Sequence, residues 1–134
     1  MSCREVAERF IREQPFRCEL AGSLRRGEES THDVDIVCLD PSMPLYTHTR
    51  DTVQADNCTL DVHSSNPEHE GPMMLAWTGP SGANIGMRSQ AKRKGMLLNE
   101  YGLFQDHVRI DDNTEDDICQ KVLNRQCKPL AGSG

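Results

Sequence analysis

The chain has 134 residues, with 15 Lys and Arg against 21 Asp and Glu for a net charge of −6; 36% of residues are hydrophobic and only 4% aromatic. That length fits one domain, or two small subdomains sharing a core that leans on aliphatic side chains and methionine. No apolar run approaches a bilayer crossing and Met-Ser-Cys-Arg-Glu-Val lacks a signal-peptide core, so no membrane association is expected and the protein reads as intracellular (cytoplasm, or nucleus or viral factory if eukaryotic or viral).

The first predicted element is a helix over residues 4–14, where Val6, Ala7, Phe10 and Ile11 fall at helical spacing before Pro15. Arg17 to Ala21 reads as a short strand, Gly22-Ser23 breaks it, and Ser23 is expected to cap a short helix running through Arg26. Gly27 to His32 is loop-like, and Asp33 to Leu39 alternates with β-branched residues as a strand does. Asp40 to Asn57 holds two prolines and little periodicity and reads as a connecting loop with at most one short element. Cys58 to His63 is a second alternating strand, Ser64 to Pro72 a turn-rich link, and Met73 to Trp77 resembles a buried strand ended by Gly79-Pro80. Ser81 to Lys94 is a helix by composition, stopped by Gly95. Met96 to Phe104 suggests a hairpin turning at Asn99 or Gly102, and Thr114-Glu-Asp-Asp117 is a capping box before a helix over Ile118 to Leu123. Leu130 to Gly134 reads as a frayed tail.

Charge is unevenly spread. Gly71 to Asn99 contains no acidic residue while Arg88, Lys92, Arg93 and Lys94 are cationic, and acids gather at Asp106, Asp111, Asp112, Glu115, Asp116 and Asp117. A polarised molecule of this kind can orient a polyanion despite its net negative charge. The six cysteines include no Cys-x-x-Cys pair and no finger-like histidine spacing; without a secretory signal they read as reduced thiols rather than a zinc site. His48, His69 and His107 show no evident partner, and the methionines read as core.

The informative stretch runs from Gly22 to Ile36. Asp33 and Asp35, two apart on a predicted strand, project from one face. Two such carboxylates repel unless a cation lies between them. Asp61 sits on a second strand that can pair alongside, and three carboxylates suit Mg²⁺ better than zinc. Two such ions can activate a hydroxyl and stabilise a leaving pyrophosphate. Gly22-Ser23, at a strand-to-helix turn, offers backbone N–H groups and a hydroxyl to phosphate, with Arg25 and Arg26 following directly.

The run Gly22-Ser-Leu-Arg-Arg-Gly-Glu-Glu-Ser-Thr-His-Asp33-Val-Asp35, the Asp61 strand, Trp77-Thr78-Gly79-Pro80-Ser81 to Met87-Arg88, Asn99-Glu100-Tyr101, and the Thr114 to Leu123 helix with Pro129 closely resemble the family X DNA polymerases related to DNA polymerase beta. The resemblance spans the chain from about Phe16 onward. It implies an α+β nucleotidyltransferase palm, with a small mixed sheet flanked by helices over residues 1–66, and a C-terminal nucleotide-binding, thumb-like helix and hairpin subdomain over residues 67–134. By the same resemblance Asp33, Asp35 and Asp61 match the metal-binding catalytic triad for two Mg²⁺ ions, with Mn²⁺ able to substitute, and Asp61 accepts the primer hydroxyl's proton. Gly22, Ser23 and Arg26 match triphosphate contacts, Thr31 and His32 the phosphate loop, and Ala76, Trp77, Thr78 and Gly79 the wall beside the sugar. Asn84 matches a base-edge contact, Arg88 a template-side contact, and Lys92 continues their stripe at i, i+4 and i+8 along one helix face.

The implied partners are nucleoside triphosphates and a DNA primer-template or DNA ends, engaged by a monomer. The sequence departs from the family where His32 replaces a usual glycine, Pro80 a serine and His63 an arginine, and where the link from Asp35 to Asp61 is short. With no lyase domain or helix-hairpin-helix clamp before Met1, no 5′-deoxyribose phosphate lyase activity and weak, salt-sensitive DNA binding are expected. Ala76-Trp77, in place of a Tyr-Phe pair, resembles the Gly-Trp pair of DNA polymerase mu and terminal transferase, which discriminate sugars poorly. Three functions stay open: templated gap-filling or end-joining synthesis, template-independent terminal transfer, and a non-catalytic DNA-end-binding module.

Overall fold

The chain opens with helix α1, Cys3–Arg12, whose N-terminus is closed by a reciprocal pair: the Ser2 side chain accepts from the Glu5 amide while the Glu5 carboxylate accepts from the Ser2 amide. The computed structural model describes residues 2–29, 31–79, 81–110, 114–125 and 127; Pro80, Pro129 and the expected tail at Leu130 to Gly134 lie outside them. Strand β1 (Cys18–Ala21), a single helical turn α2 (Gly22–Arg25) and strand β2 (Asp33–Leu39) follow. The residue at the cap of α2 is Ala21, with no side-chain capping bond, so Ser23 lies inside the turn rather than capping it as expected.

The stretch read as a loop is instead an eight-residue strand, β3 (His48–Ala55), joined to β4 (Cys58–Ser65) by a two-residue turn. Asp56 and Asn57 occupy that turn with φ of 48° and 65°, a left-handed conformation that Asp and Asn tolerate and that matches the twist of a hairpin. Strand β3 escapes a periodicity reading because it is an edge strand of the sheet and mostly exposed, with Val53 and Ala55 packed on the core.

Strands β1 to β4 form one mixed sheet in the order β1-β2-β4-β3. Strand β1 runs antiparallel to β2, β2 parallel to β4, and β3 antiparallel to β4. Alternation divides its residues cleanly. On one face Cys18, Val34, Ile36, Cys38, Cys58, Leu60 and Val62 pack against Cys3, Val6 and Ala7 of α1. On the other, Ala21, Val37 and Leu39 pack against Met73, Met74 and Trp77.

Those last three residues belong to helix α3, Glu70–Thr78, which follows a 3₁₀ turn at Pro67–His69. The expectation of a strand over Met73 to Trp77 is therefore wrong. Met73 and Met74 are buried, and the run from Met73 to Trp77 is apolar throughout and carries no periodicity from which helix and strand can be told apart. Pro72 fits because it lies in the first turn, where its missing N–H costs no intrahelical bond.

Helix α4 (Ser81–Arg93) leads into a second sheet, β5-β6-β7 (Met96–Asn99, Gly102–Gln105, Val108–Ile110), all antiparallel. The hairpin is as expected, while the third strand comes after a second two-residue turn at Asp106-His107, again with positive φ. Helix α5, Glu115–Leu123, carries the expected capping box between Thr114 and Asp117. Ala91, Met96, Leu98, Leu103, Ile118 and Val122 form the core between this sheet, α4 and α5. The fold is α+β.

The cysteines are not all thiols, contrary to the reading from the sequence. Cys3 and Cys58 form a disulfide from the start of α1 to the start of β4, and Cys119 and Cys127 a second one. Their Cα atoms lie 5.8 and 5.3 Å apart, within reach of the bond, a proximity that a separation of 55 residues in the first pair conceals. Cys18 and Cys38 remain free and buried, facing each other across β1 and β2.

Candidate active site

The parallel pairing of β2 with β4 sets Asp35 directly opposite Asp61 and Asp33 opposite Thr59. Asp33, Asp35 and Asp61 therefore lie on the same face of the sheet, the one that Val37, Leu39 and α3 close further along, with Ala21 of β1 directly beside Asp35. The apolar lid ends before the acids, and the face is open where they lie: Asp33 is exposed and Asp35 and Asp61 are half-buried.

Each partly buried carboxylate is already held. Asp35 Oδ1 lies 3.1 Å from His63 Nε2, and His63 is fully buried and stacked on Trp77 at 3.9 Å between ring centroids. The other Asp35 oxygen faces Gly22, where an added Cβ would stand 2.3 Å from Oδ2. Gly22 itself has φ of +60°, so the strand-to-helix turn bends tightly over the carboxylate in a way only glycine permits. Asp61 Oδ1 accepts from Thr52 Oγ1 at 3.1 Å, and its Oδ2 lies 3.4 Å from Arg50 Nη2. His63, Thr52 and Arg50 were missed from sequence, the last two because β3 was read as loop; the cue was the Asp56-Asn57 turn that pairs β3 with β4.

Among the described residues no three His, Cys, Asp or Glu side chains converge as ligands of a single ion. The acids could do so by rotating about their own side-chain bonds, because paired Cα atoms on neighbouring strands are about 5 Å apart. An all-carboxylate donor set on one half-open face has the chemistry of a hard divalent-cation site.

Around the acids, Ser23 lies in α2 and is half-buried, while Arg26 donates to the Thr78 carbonyl and to Glu28 Oε2 at 2.8 Å. Its neighbour Arg25 makes a bidentate pair with Glu115 at 2.6 and 2.9 Å and donates to Thr78 Oγ1 at 2.7 Å, fastening α2 to the end of α3 and the start of α5. Thr31 folds back on Asp33, its hydroxyl donating to the Asp33 carbonyl at 2.8 Å, and the His32 carbonyl accepts from the Thr59 amide. Thr78 is buried at the end of α3, with Gly79 as its C-terminal cap.

Asn84 donates to the Ala76 carbonyl at 2.8 Å, tying the start of α4 to the end of α3. With His48, Ala76, Trp77, Ile85, Arg88 and Glu100 it lines a recess of about 360 Å³. Arg88 lies 3.9 Å from Glu100, and Lys92 is exposed one turn on, so α4 does present Asn84, Arg88 and Lys92 as one stripe. His48 packs against Trp77 and His63, and burial with the nearby His63 pushes its imidazole pKa down. His69 is buried with both nitrogens engaged, Nε2 accepting from the Tyr46 amide and Nδ1 bonding to the Tyr101 carbonyl. Both histidines thus have neighbours that the sequence did not reveal.

The model of the DNA polymerase beta thumb matches residues 73–124, from within α3 through α5. Repair DNA polymerase X of African swine fever virus is 25% identical to this chain over 126 residues, covering 75% of this chain and 72% of the relative, in both a South African tick isolate and a Namibian warthog isolate. Among the described residues no helix is long and apolar enough to cross a membrane. With these likenesses and its α+β fold, the chain is similar to the family X repair DNA polymerases.

Proposed function

We propose that the chain transfers a nucleotide from a nucleoside triphosphate to a DNA 3′-hydroxyl in repair synthesis, filling gaps or joining ends, as a monomer. Residues 1–66 act as the catalytic palm and residues 67–134 as a thumb-like subdomain that holds the nucleotide. The observation that carries this reading is the β2–β4 register, with Asp35 opposite Asp61 and Asp33 two residues along the same face. The named relative, a repair DNA polymerase, supports the class of reaction.

Asp33, Asp35 and Asp61 hold two Mg²⁺ ions, or Mn²⁺ in their stead, which when bound lower the cost of ionising the hydroxyl and of charge on the departing pyrophosphate. Asp61 takes the proton of the 3′-hydroxyl on a carboxylate oxygen. Gly22, Ser23, Arg26, Thr31 and His32 contact the triphosphate; Arg26, one turn from Gly22, is the cation of that group. Ala76, Trp77, Thr78 and Gly79 wall the sugar, Asn84 reads the base edge, and Arg88 and Lys92 meet DNA. Ala76 leaves room for a 2′-hydroxyl, so ribonucleotides are accepted readily.

Primer extension on gapped, blunt and single-stranded DNA, with Mg²⁺ or Mn²⁺, tests the reading. Extension of gapped substrate that disappears in Asp61→Ala is expected, and undiminished extension by that variant would refute the catalytic assignment. Equal extension with and without a template strand would replace templated synthesis by terminal transfer. A thousandfold preference for dGTP over rGTP would end the sugar argument.

A further inference from the structure

Strand β3 has a polar, solvent-exposed makeup at a place where an edge strand needs only to avoid aggregation, yet two of its side chains are spent on one carboxylate. In the β3–β4 register Thr52 is the direct partner of Asp61 and Arg50 the direct partner of His63, so both rise from the same face as the three aspartates. Thr52 donates to one oxygen of Asp61 at 3.1 Å, and Arg50 lies 3.4 Å from the other. The Arg50 side chain is 56% exposed against 18% for Asp61, so its guanidinium leans in from solvent over a carboxylate set in the sheet.

We propose that Arg50 is a positioning residue that latches Asp61 in the free enzyme and passes to a phosphate of the strand bearing the 3′-hydroxyl when DNA binds. The inference rests on the assignment of Asp61 under Proposed function. A guanidinium beside Asp61 offsets the negative charge that the three acids concentrate on one face, and so competes with a divalent cation for the same carboxylate. Its fork-shaped donors also match phosphate oxygens, and a half-exposed arginine can swing several ångströms to reach them. Thr52 stays behind, keeping one Asp61 oxygen oriented when the arginine departs. DNA binding and cation binding at Asp61 are coupled through this one side chain, each favouring the other.

The test is made on the full chain with Arg50→Gln, Arg50→Lys and Asp61→Ala, using Mn²⁺ alone and a gapped duplex as separate probes. Bound Mn²⁺ is read by loss of its free electron paramagnetic resonance signal, without nucleotide or DNA. Arg50→Gln is expected to bind Mn²⁺ about two- to fivefold more tightly than the parent, the scale of removing one partly exposed ion pair, and Arg50→Lys to fall between the two. DNA affinity of Arg50→Gln, read by fluorescence anisotropy across a salt series, should fall and its salt slope shrink by roughly one phosphate contact.

Unchanged or weaker Mn²⁺ binding in Arg50→Gln overturns the latch, as does an unaltered salt slope. If that happens while Asp61→Ala loses Mn²⁺, the latch is wrong and the assignment of Asp61 stands. If Asp61→Ala binds Mn²⁺ as the parent does, the assignment falls and the latch with it.

Discussion

Replacing Gly22 by alanine sets the backbone turn, the first carboxylate and the buried histidine against one another. The new Cβ would stand 2.3 Å from Asp35 Oδ2 and 3.0 Å from both Asp35 Cβ and Cγ, so the carboxylate must turn away. Turning it away breaks the 3.1 Å contact with His63 Nε2, and His63 Nδ1 is already buried with no hydrogen-bond partner among the described residues. Leaving such a buried imidazole without hydrogen bonds costs about 1–3 kcal/mol. Holding alanine at the φ of +60° that Gly22 adopts adds about 1–2 kcal/mol. The sum is a loss of about 2–5 kcal/mol, or roughly 8–20 °C in Tm for a chain of this size.

The assay is thermal unfolding followed by circular dichroism, on Gly22→Ala alone and in an Asp35→Ala background. Asp35→Ala removes the clashing oxygen and has no His63 contact left to lose. In that background the glycine substitution should cost clearly less, the backbone share of about 1–2 kcal/mol plus whatever the remaining 3.0 Å approach to the Cβ of residue 35 adds. An undiminished loss in the Asp35→Ala background would refute the steric reasoning. Primer extension by Gly22→Ala, measured below its transition, should fall as well, because Asp35 no longer faces Asp61 as the register sets it.

Arg25→Ala should lower stability by about 1–2 kcal/mol in urea unfolding, since the pair with Glu115 is only about a quarter exposed (24% and 22%) and also releases Thr78; faster amide exchange in α5 than in α1 is the accompanying sign. Cys3→Ser should cost about 2–4 kcal/mol, the scale for a crosslink that closes a long loop across a separation of 55 residues, and should abolish the effect of a reductant on that part of the unfolding curve. His48, whose pKa is lowered in the fold by burial, binds a proton more readily when unfolded, so its contribution is complete above the ordinary value of 6.5 and fades as pH falls from there toward the lowered value. The Tm of the parent should therefore drop more steeply between pH 7.5 and 5.5 than that of His48→Phe, and parallel curves would show that His48 titrates alike in both states.

Strand β2, packed on both faces, was legible, and strand β3, which faces water, was not. Strand β2 agrees residue for residue with its predicted span, Asp33 to Leu39, because its alternation is enforced by a core on each side. Strand β3 was hidden by exposure, and α3 by burial on several sides; in both cases the periodicity that sequence reasoning relies on is erased. That Asp33 and Asp35 share a face was readable because residues two apart on a strand point the same way. The polar neighbours His63, Thr52 and Arg50 were not, because each is defined by which strand lies beside which, and only pairing across 28, 9 and 11 residues brings them to Asp35 and Asp61. The disulfides fall in the same class.

The same alternation fixes core and site together. A slip of β4 by one residue against β2 would exchange Asp61 and His63 for Leu60 and Val62 on the acid face and drive the two polar side chains into the packing under α1. Leu60 is 1% exposed and Val62 8%, and releasing each from its core costs about 1.5–3 kcal/mol before any penalty for burying a carboxylate. The register that sets Asp35 opposite Asp61 is thus enforced by hydrophobic residues on the opposite face of the sheet. Substitutions at Leu60 or Val62 should accordingly damage the site only as far as they damage the fold, whereas Asp35 and Asp61 can be altered with the register intact.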